Sequence, residues 1–159
     1  MARHALRIGL FLGAALTAGW TLAPAQGGAK RSDAEVKVAV ESAKPAADGK
    51  LVITLALDIN KGWHIYGNPV GNDDLVDAQT VVSVSGKTKP ASVKIEYPKA
   101  SVIKDKVLGT YNVYEDKVTI KATVERAAGD NDPLDVTIRF QACNDTTCLF
   151  PATKKLTVP

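Results

Sequence analysis

At 159 residues, with 45% apolar and 23% charged residues, the chain has the size and composition of one folded domain. Twenty basic residues against seventeen acidic ones give a net charge of +3 with no basic stripe, which argues against nucleic acid or an anionic membrane as partner. The N-terminus reads as a targeting segment. Arg3, His4 and Arg7 precede an apolar run from Ile8 to about Leu22, and Ala23-Pro24-Ala25 supplies a small-x-small cleavage signature. This pattern predicts a secretory signal peptide over residues 1–25, cut after Ala25. The run is short for a bilayer span of roughly 20 residues, and no later stretch is apolar enough to cross a membrane. Removing the two arginines of the signal leaves eighteen basic and seventeen acidic residues, a net charge of +1. Export predicts a periplasmic location, with secretion or envelope association as variants, and an oxidising compartment in which disulfides persist.

Residues 26–34 read as a flexible leader and residues 35–159 as the folded domain. From there the dominant signal is alternation with period two. Val36, Val38 and Val40 alternate with Lys37, Ala39 and Glu41. Leu51, Ile53, Leu55, Leu57 and Ile59 form the strongest strand, with an unbroken apolar face. Weaker runs follow at 80–84, 92–97 and 111–114. Val118, Ile120, Ala122 and Val124 alternate with Lys117, Thr119, Lys121 and Thr123; Val136, Ile138 and Phe140 alternate with Thr137, Arg139 and Gln141; a last run covers 153–158. Turn signals at Asp48-Gly49, Ser85-Gly86 and Gly129-Asp130-Asn131-Asp132-Pro133 separate them. No segment has helical periodicity. Seven or eight short strands with one-sided apolar faces bury those faces against each other, which predicts an all-β, immunoglobulin-like antiparallel β-sandwich. Two connections, about Gly62 to Ala78 and about Pro98 to Thr110, are longer than hairpins need, and long loops in compact domains tend to carry function.

The two cysteines, Cys143 and Cys148, lie close together in the mature chain, and two thiols allow one intramolecular pairing. Four residues separate them between two strands, and a hairpin there brings their Cα atoms within the ~5.5 Å that a disulfide prefers. One reading is a structural staple. By chain entropy, closing so short a loop stabilises by only about 2 kcal/mol. The other reading is a redox pair, because a bridge in a solvent-facing turn is open to attack by another thiolate. Spacing and compartment alone leave both open. A zinc site would need four ligands from two cysteines, His64 and a carboxylate such as Asp145 or Asp105. A Cys–His hydrolase using His64 would have its nucleophile oxidised. Neither metal nor cofactor is therefore expected.

Gly62-Trp63-His64-Ile65-Tyr66-Gly67-Asn68-Pro69 follows the strongest strand. Trp63 and Tyr66 either pack on the rim of the core or wall the cysteine turn. His64 reads as a hydrogen-bonding neighbour, and Tyr66 as a hydroxyl donor to a sulfur or to the backbone.

Three pieces in order, Gly62-Trp63-His64-Ile65-Tyr66, Tyr114-Glu115-Asp116-Lys117-Val118-Thr119-Ile120 and Phe140-Gln141-Ala142-Cys143-x4-Cys148-Leu149-Phe150-Pro151, make the chain resemble one family. It is the N-terminal domain of the thiol:disulfide interchange protein DsbD, here as a stand-alone exported domain. The aromatic–Gln–small–Cys…Cys–x–x–Pro element is its specific part. The resemblance implies an immunoglobulin-like sandwich with the cysteines on a strand pair at one edge, cycling between dithiol and disulfide. It implies electrons arriving from a membrane-embedded reductase or thioredoxin-like domain and leaving to oxidised periplasmic clients, such as disulfide isomerases or cytochrome c maturation factors. It implies Cys148 as the thiol that contacts partners and Cys143 as the resolving thiol. Because thiolate reactivity depends on charge and solvation near the sulfur, His64, Tyr66 and Asp145 are candidates for tuning it, with Trp63 expected near the site as part of the aromatic loop. It also implies a cap loop over the cysteines, falling at about Asp105 to Gly109. Its aromatic position is occupied here by Val107-Leu108, an aliphatic pair that excludes water but cannot stack on the disulfide. The competing expectation is a β-sandwich binding module whose disulfide only holds a hairpin.

Overall fold

The computed structural model describes residues 29–45 and 50–159; the predicted signal peptide and the Asp48-Gly49 turn lie outside them. Eleven strands are described: β1 (Val36–Pro45), β2 (Leu51–Ile59), β3 (His64–Tyr66), β4 (Val81–Gly86), β5 (Ser92–Glu96), β6 (Ser101–Asp105), β7 (Gly109–Glu115), β8 (Lys117–Glu125), β9 (Leu134–Phe140), β10 (Ala142–Cys143) and β11 (Ala152–Val158). Two short 3-10 turns, Ser32–Ala34 and Asp73–Ala78, are the helical elements among these residues. None is long and apolar enough to cross a membrane.

The strands form three antiparallel sheets, ordered β1-β2-β8-β5, β11-β9-β4 and β10-β3-β7-β6. The first two bury their apolar faces together, which gives the expected sandwich. Ile53, Leu55 and Leu57 of β2 pair in register with Ala122, Ile120 and Val118 of β8. Across the core stand Leu134, Val136, Ile138 and Phe140 of β9, all essentially inaccessible. Each fully buried Leu, Ile or Phe side chain contributes roughly 1.5–3 kcal/mol. A slip of one residue would turn these faces to water, so the alternation itself sets the register.

The third sheet carries a second, smaller core of Tyr66, Val70, Tyr111, Val113 and Cys143. The two long connections of the sequence reading supply part of it, the first containing β3 and the Asp73–Ala78 turn and the second β6, and β7 and β10 complete the sheet. Gly67 leaves β3 pressed against β7, where a Cβ would sit 3.2 Å from the Asn112 backbone and from the Ala100 side chain.

Residues 31–34 differ from the flexible leader expected of them. Ser32 is completely buried, and Arg31 bridges in parallel to Phe150. The chain beside Phe150 offers unpaired backbone groups, and this segment satisfies them.

Candidate functional site

β10 is only two residues long, yet it is held from three sides. Its Ala142 and Cys143 pair with Ile65 and His64 of β3. β3 in turn pairs with β7, setting Tyr66 opposite Val113. The backbone of Tyr66 is fixed further by Thr80, whose buried hydroxyl donates to its carbonyl at 2.6 Å. Beyond β10 the chain reverses in a tight turn. The Asn144 side-chain oxygen accepts the amides of Thr146 at 3.0 Å and Thr147 at 2.8 Å, an Asx turn made by the residue directly after the first cysteine. At the base of the turn, Leu149 N–H donates to Ala142 O at 2.9 Å, and the Gln141 amide donates to Leu149 O at 3.0 Å.

This turn carries a Cys143–Cys148 disulfide with the two Cα atoms 4.0 Å apart. The two cysteines are not equivalent. Cys143 is 2% exposed and belongs to the small core, whereas Cys148 is exposed. Beside them opens a cleft of about 330 Å³ walled by His64, Tyr66, Ile103, Leu108 and Tyr111. The Tyr66 hydroxyl lies 3.6 Å from Cys143 Sγ and 3.9 Å from Cys148 Sγ. A disulfide sulfur carries no hydrogen, so the hydroxyl is the donor in both contacts.

The charges around the cleft keep that donor in place. Burial raises the Tyr66 phenol above its ordinary value, and the Tyr111 phenol, 5.7 Å away between ring centroids, adds to the shift. Burial also raises Tyr111, helped by the negative charges of Asp105 and Asp145. Both phenols are therefore protonated at neutral pH. Burial lowers the half-buried His64 below the usual histidine range against the pull of Glu115 and Asp145, so its imidazole is neutral at pH 7.

The β6–β7 hairpin forms the opposite wall, at the segment where a cap loop was expected. Asp105 accepts the amides of Val107 and Leu108, each at 2.7 Å, and these bonds lower its carboxyl below the ordinary value. Gly109 turns the chain with φ of 82°, a conformation that suits glycine. The Asn72 amide donates to Leu108 O at 2.7 Å and ties the hairpin to the neighbouring loop. Leu108 and Asp105 line the cleft, but Val107 is 90% exposed and stands away from it. The turn flanks the disulfide and leaves Cys148 open.

Thus Cys143, Cys148, His64, Tyr66, Asp145, Asp105 and Leu108 meet at one cleft. Trp63 does not join them: it packs on the main core, with the Lys30 ammonium 5.9 Å from its ring centroid. Tyr111, Ile103 and Asn144 escaped the sequence reading. Asn144 had a local signal in Asn-Asp-Thr-Thr, a sequence rich in turn formers; Tyr111 and Ile103 reach the cleft through strand pairing alone.

Chemically, the site is a disulfide between one exposed and one buried cysteine, with a hydroxyl donor against both sulfurs. Similarity to known proteins bears on the fold and on the family. A comparison with curated proteins finds no match. Among solved structures, the reduced N-terminal domain of DsbD from Neisseria meningitidis superposes with a TM-score of 0.53 at 16% identity, over 80% of this chain and 86% of that one. The N-terminal periplasmic domain of ScsB from Proteus mirabilis gives a TM-score of 0.58 at 16% identity, over 78% of this chain and 46% of that one. The Neisseria meningitidis complex between the DsbD N-terminal and PilB N-terminal domains gives 0.51 at 16% identity, over 72% and 77%. These likenesses share the fold. The family described as "Thiol:disulfide interchange protein DsbD, N-terminal" matches residues 33–159, so the chain belongs to the family of DsbD N-terminal domains.

Proposed function

We propose that the protein is a periplasmic thiol–disulfide exchange protein that relays electrons through the Cys143/Cys148 pair. Its partners are a thioredoxin-like or membrane thiol reductase on one side and oxidised exported proteins, cytochrome c maturation factors among them, on the other. The observation that carries this reading is the unequal exposure of the two cysteines. A partner thiolate attacks Cys148 Sγ, the Cys143–Cys148 bond breaks, and Cys143 leaves as a thiolate while a mixed disulfide forms on Cys148. The Tyr66 hydroxyl is aimed at the leaving sulfur and stabilises its developing charge. Cys143 then attacks Cys148 Sγ, restores the disulfide and expels the partner, or a second partner thiolate completes the reduction.

The family membership and the docking of a DsbD N-terminal domain with the PilB N-terminal domain in Neisseria meningitidis support a protein partner. The binding-module alternative gives the disulfide a purely structural task. The hairpin is already closed by its Asx turn and by bonds from Leu149, Gln141 and Ser32, so a staple there adds little. The test is a Cys143→Ala variant expressed in the periplasm. It should accumulate mixed disulfides through Cys148 with a thioredoxin-like protein or an oxidised client. No covalent partner with this variant, alongside unchanged client reduction in a double Cys143→Ser, Cys148→Ser variant, would establish the binding module instead.

A further inference from the structure

Outside the cleft, one buried polar side chain meets both arms of the cysteine hairpin. Ser32 is 0% exposed. Its hydroxyl accepts the Ala142 amide at 2.8 Å and donates to the Phe150 carbonyl at 2.8 Å. Its own amide donates to the same carbonyl at 2.9 Å, and Phe150 N–H donates to Lys30 O at 3.2 Å. Ala142 is the residue before Cys143, and Phe150 is the second residue after Cys148. The hydroxyl therefore spans the two arms on the inner side of the disulfide.

We propose that Ser32 is a positioning residue for thiol–disulfide exchange, holding the arms together when the disulfide is open so that Cys143 stays within reach of Cys148. The proposal rests on the exchange reading above. While the disulfide is intact, the covalent bond fixes the arms and Ser32 is redundant to geometry. Once a mixed disulfide has formed on Cys148, the packing of Cys143 and the hydrogen bonds between the arms, the Ser32 link among them, keep Cys143 near it. Resolution is an intramolecular attack, and its rate follows the fraction of time the two sulfurs are aligned. The Cys143 thiolate attacks Cys148 Sγ, the bond to the partner sulfur breaks, and the partner leaves as a thiolate that takes a proton from water.

Loss of the Ser32 hydroxyl acts on one side of this cycle. In the oxidised protein the Ala142 amide stays buried and loses its acceptor. In the open forms the arms, still joined by the Leu149 and Gln141 bonds, have the freedom to shift until that amide finds another partner. The disulfide is thereby disfavoured relative to the dithiol, and ring closure slows. The worth of one such hydrogen bond corresponds to about three- to tenfold in an equilibrium or rate. At 29.6 mV per tenfold, the midpoint potential moves up by about 14 to 30 mV.

The experiment uses the purified wild-type protein and Ser32→Ala, with glutathione as the probe. Rapid-quench measurements give attack of reduced glutathione on the disulfide, and then resolution of the glutathione mixed disulfide on Cys148. The expected result is unchanged attack, within about twofold, with resolution slower by about three- to tenfold and a raised midpoint. General destabilisation would leave the ratio of the two steps alone. Equal resolution rates and equal midpoints in the two proteins overturn the role of Ser32. A wild-type disulfide that resists glutathione altogether overturns the exchange reading instead. Amide exchange on the wild type decides the matter where Ser32→Ala fails to fold. Protection of the Ala142 amide that persists after reduction supports the clamp, and its loss on reduction refutes it.

Discussion

Replacing Tyr66 by Phe removes one oxygen from the cleft and leaves the ring that packs beneath the disulfide. The phenol stands 3.6 Å from Cys143 Sγ and is held protonated by burial. In the disulfide it donates weakly to a neutral sulfur. As a partner thiolate attacks Cys148, charge builds on Cys143, and the same contact becomes charge-assisted. Hydrogen bonds to charged groups are worth about 1.5–3 kcal/mol. Brønsted coefficients near one half in thiol–disulfide exchange place about half of that in the transition state. The barrier should then rise by about 0.75–1.5 kcal/mol, roughly a four- to twelvefold loss in rate. The assay is stopped-flow reduction of the disulfide by a small dithiol at fixed pH, alongside thermal unfolding to show that packing survives. Equal rates for Tyr66→Phe and wild type, within twofold, would refute the claim that this hydroxyl serves the leaving sulfur.

Other consequences concern the core, the hairpin beside the cleft and pH. Ile120→Ala empties a fully buried position at the centre of the sandwich and should cost about 2–5 kcal/mol in urea unfolding; a loss below about 1 kcal/mol would show that β8 is not central to the core. Because Cys148 is already exposed, a Val107→Gly, Leu108→Gly double variant should change its reduction rate by less than about threefold. A rise of about tenfold or more would show that Leu108 shields the pair. Asp105 has its carboxyl lowered by the Leu108 and Val107 amides. Its stabilisation is complete above the unfolded value near 3.8 and is lost as pH falls through the lower folded value. The Leu108 amide should therefore lose protection below that pH in the wild type and show no such step in Asp105→Asn, which keeps the acceptor but does not titrate.

The sandwich was legible because its strands bury one face each. Leu51 to Ile59 and Val118 to Val124 state their register in plain alternation, and the structure pairs them in that phase. The bonded cysteine pair was legible for a similar reason, since a short spacing in an exported chain leaves few alternatives. Three of the shorter elements were not, although the five-residue β5 shows as the run at 92–97. β3, β6 and β10 are too short to display a period, and tertiary pairing makes them strands. Tyr111 reaches the cleft only because β7 pairs with β3, which sets Val113 against Tyr66. Ser32 lay in a stretch of Gly, Lys, Arg and Ser that reads as solvated chain, and nothing local announces a partner 118 residues away. For Trp63 the sequence left the core rim and the cysteine turn open, and the structure packs it against the main core.

The central claim, that Cys143 and Cys148 exchange electrons with partners, is tested most directly by the reduction potential of the disulfide. Equilibration of the purified protein in glutathione buffers, with the two redox forms separated by thiol alkylation, measures it. The exposed Cys148, the leaving-group donor and the shortness of the ring predict a midpoint above about −300 mV, within reach of a thioredoxin-like partner. A midpoint well below about −300 mV, in the range of structural bridges, would contradict the account and leave the disulfide as a hairpin clasp.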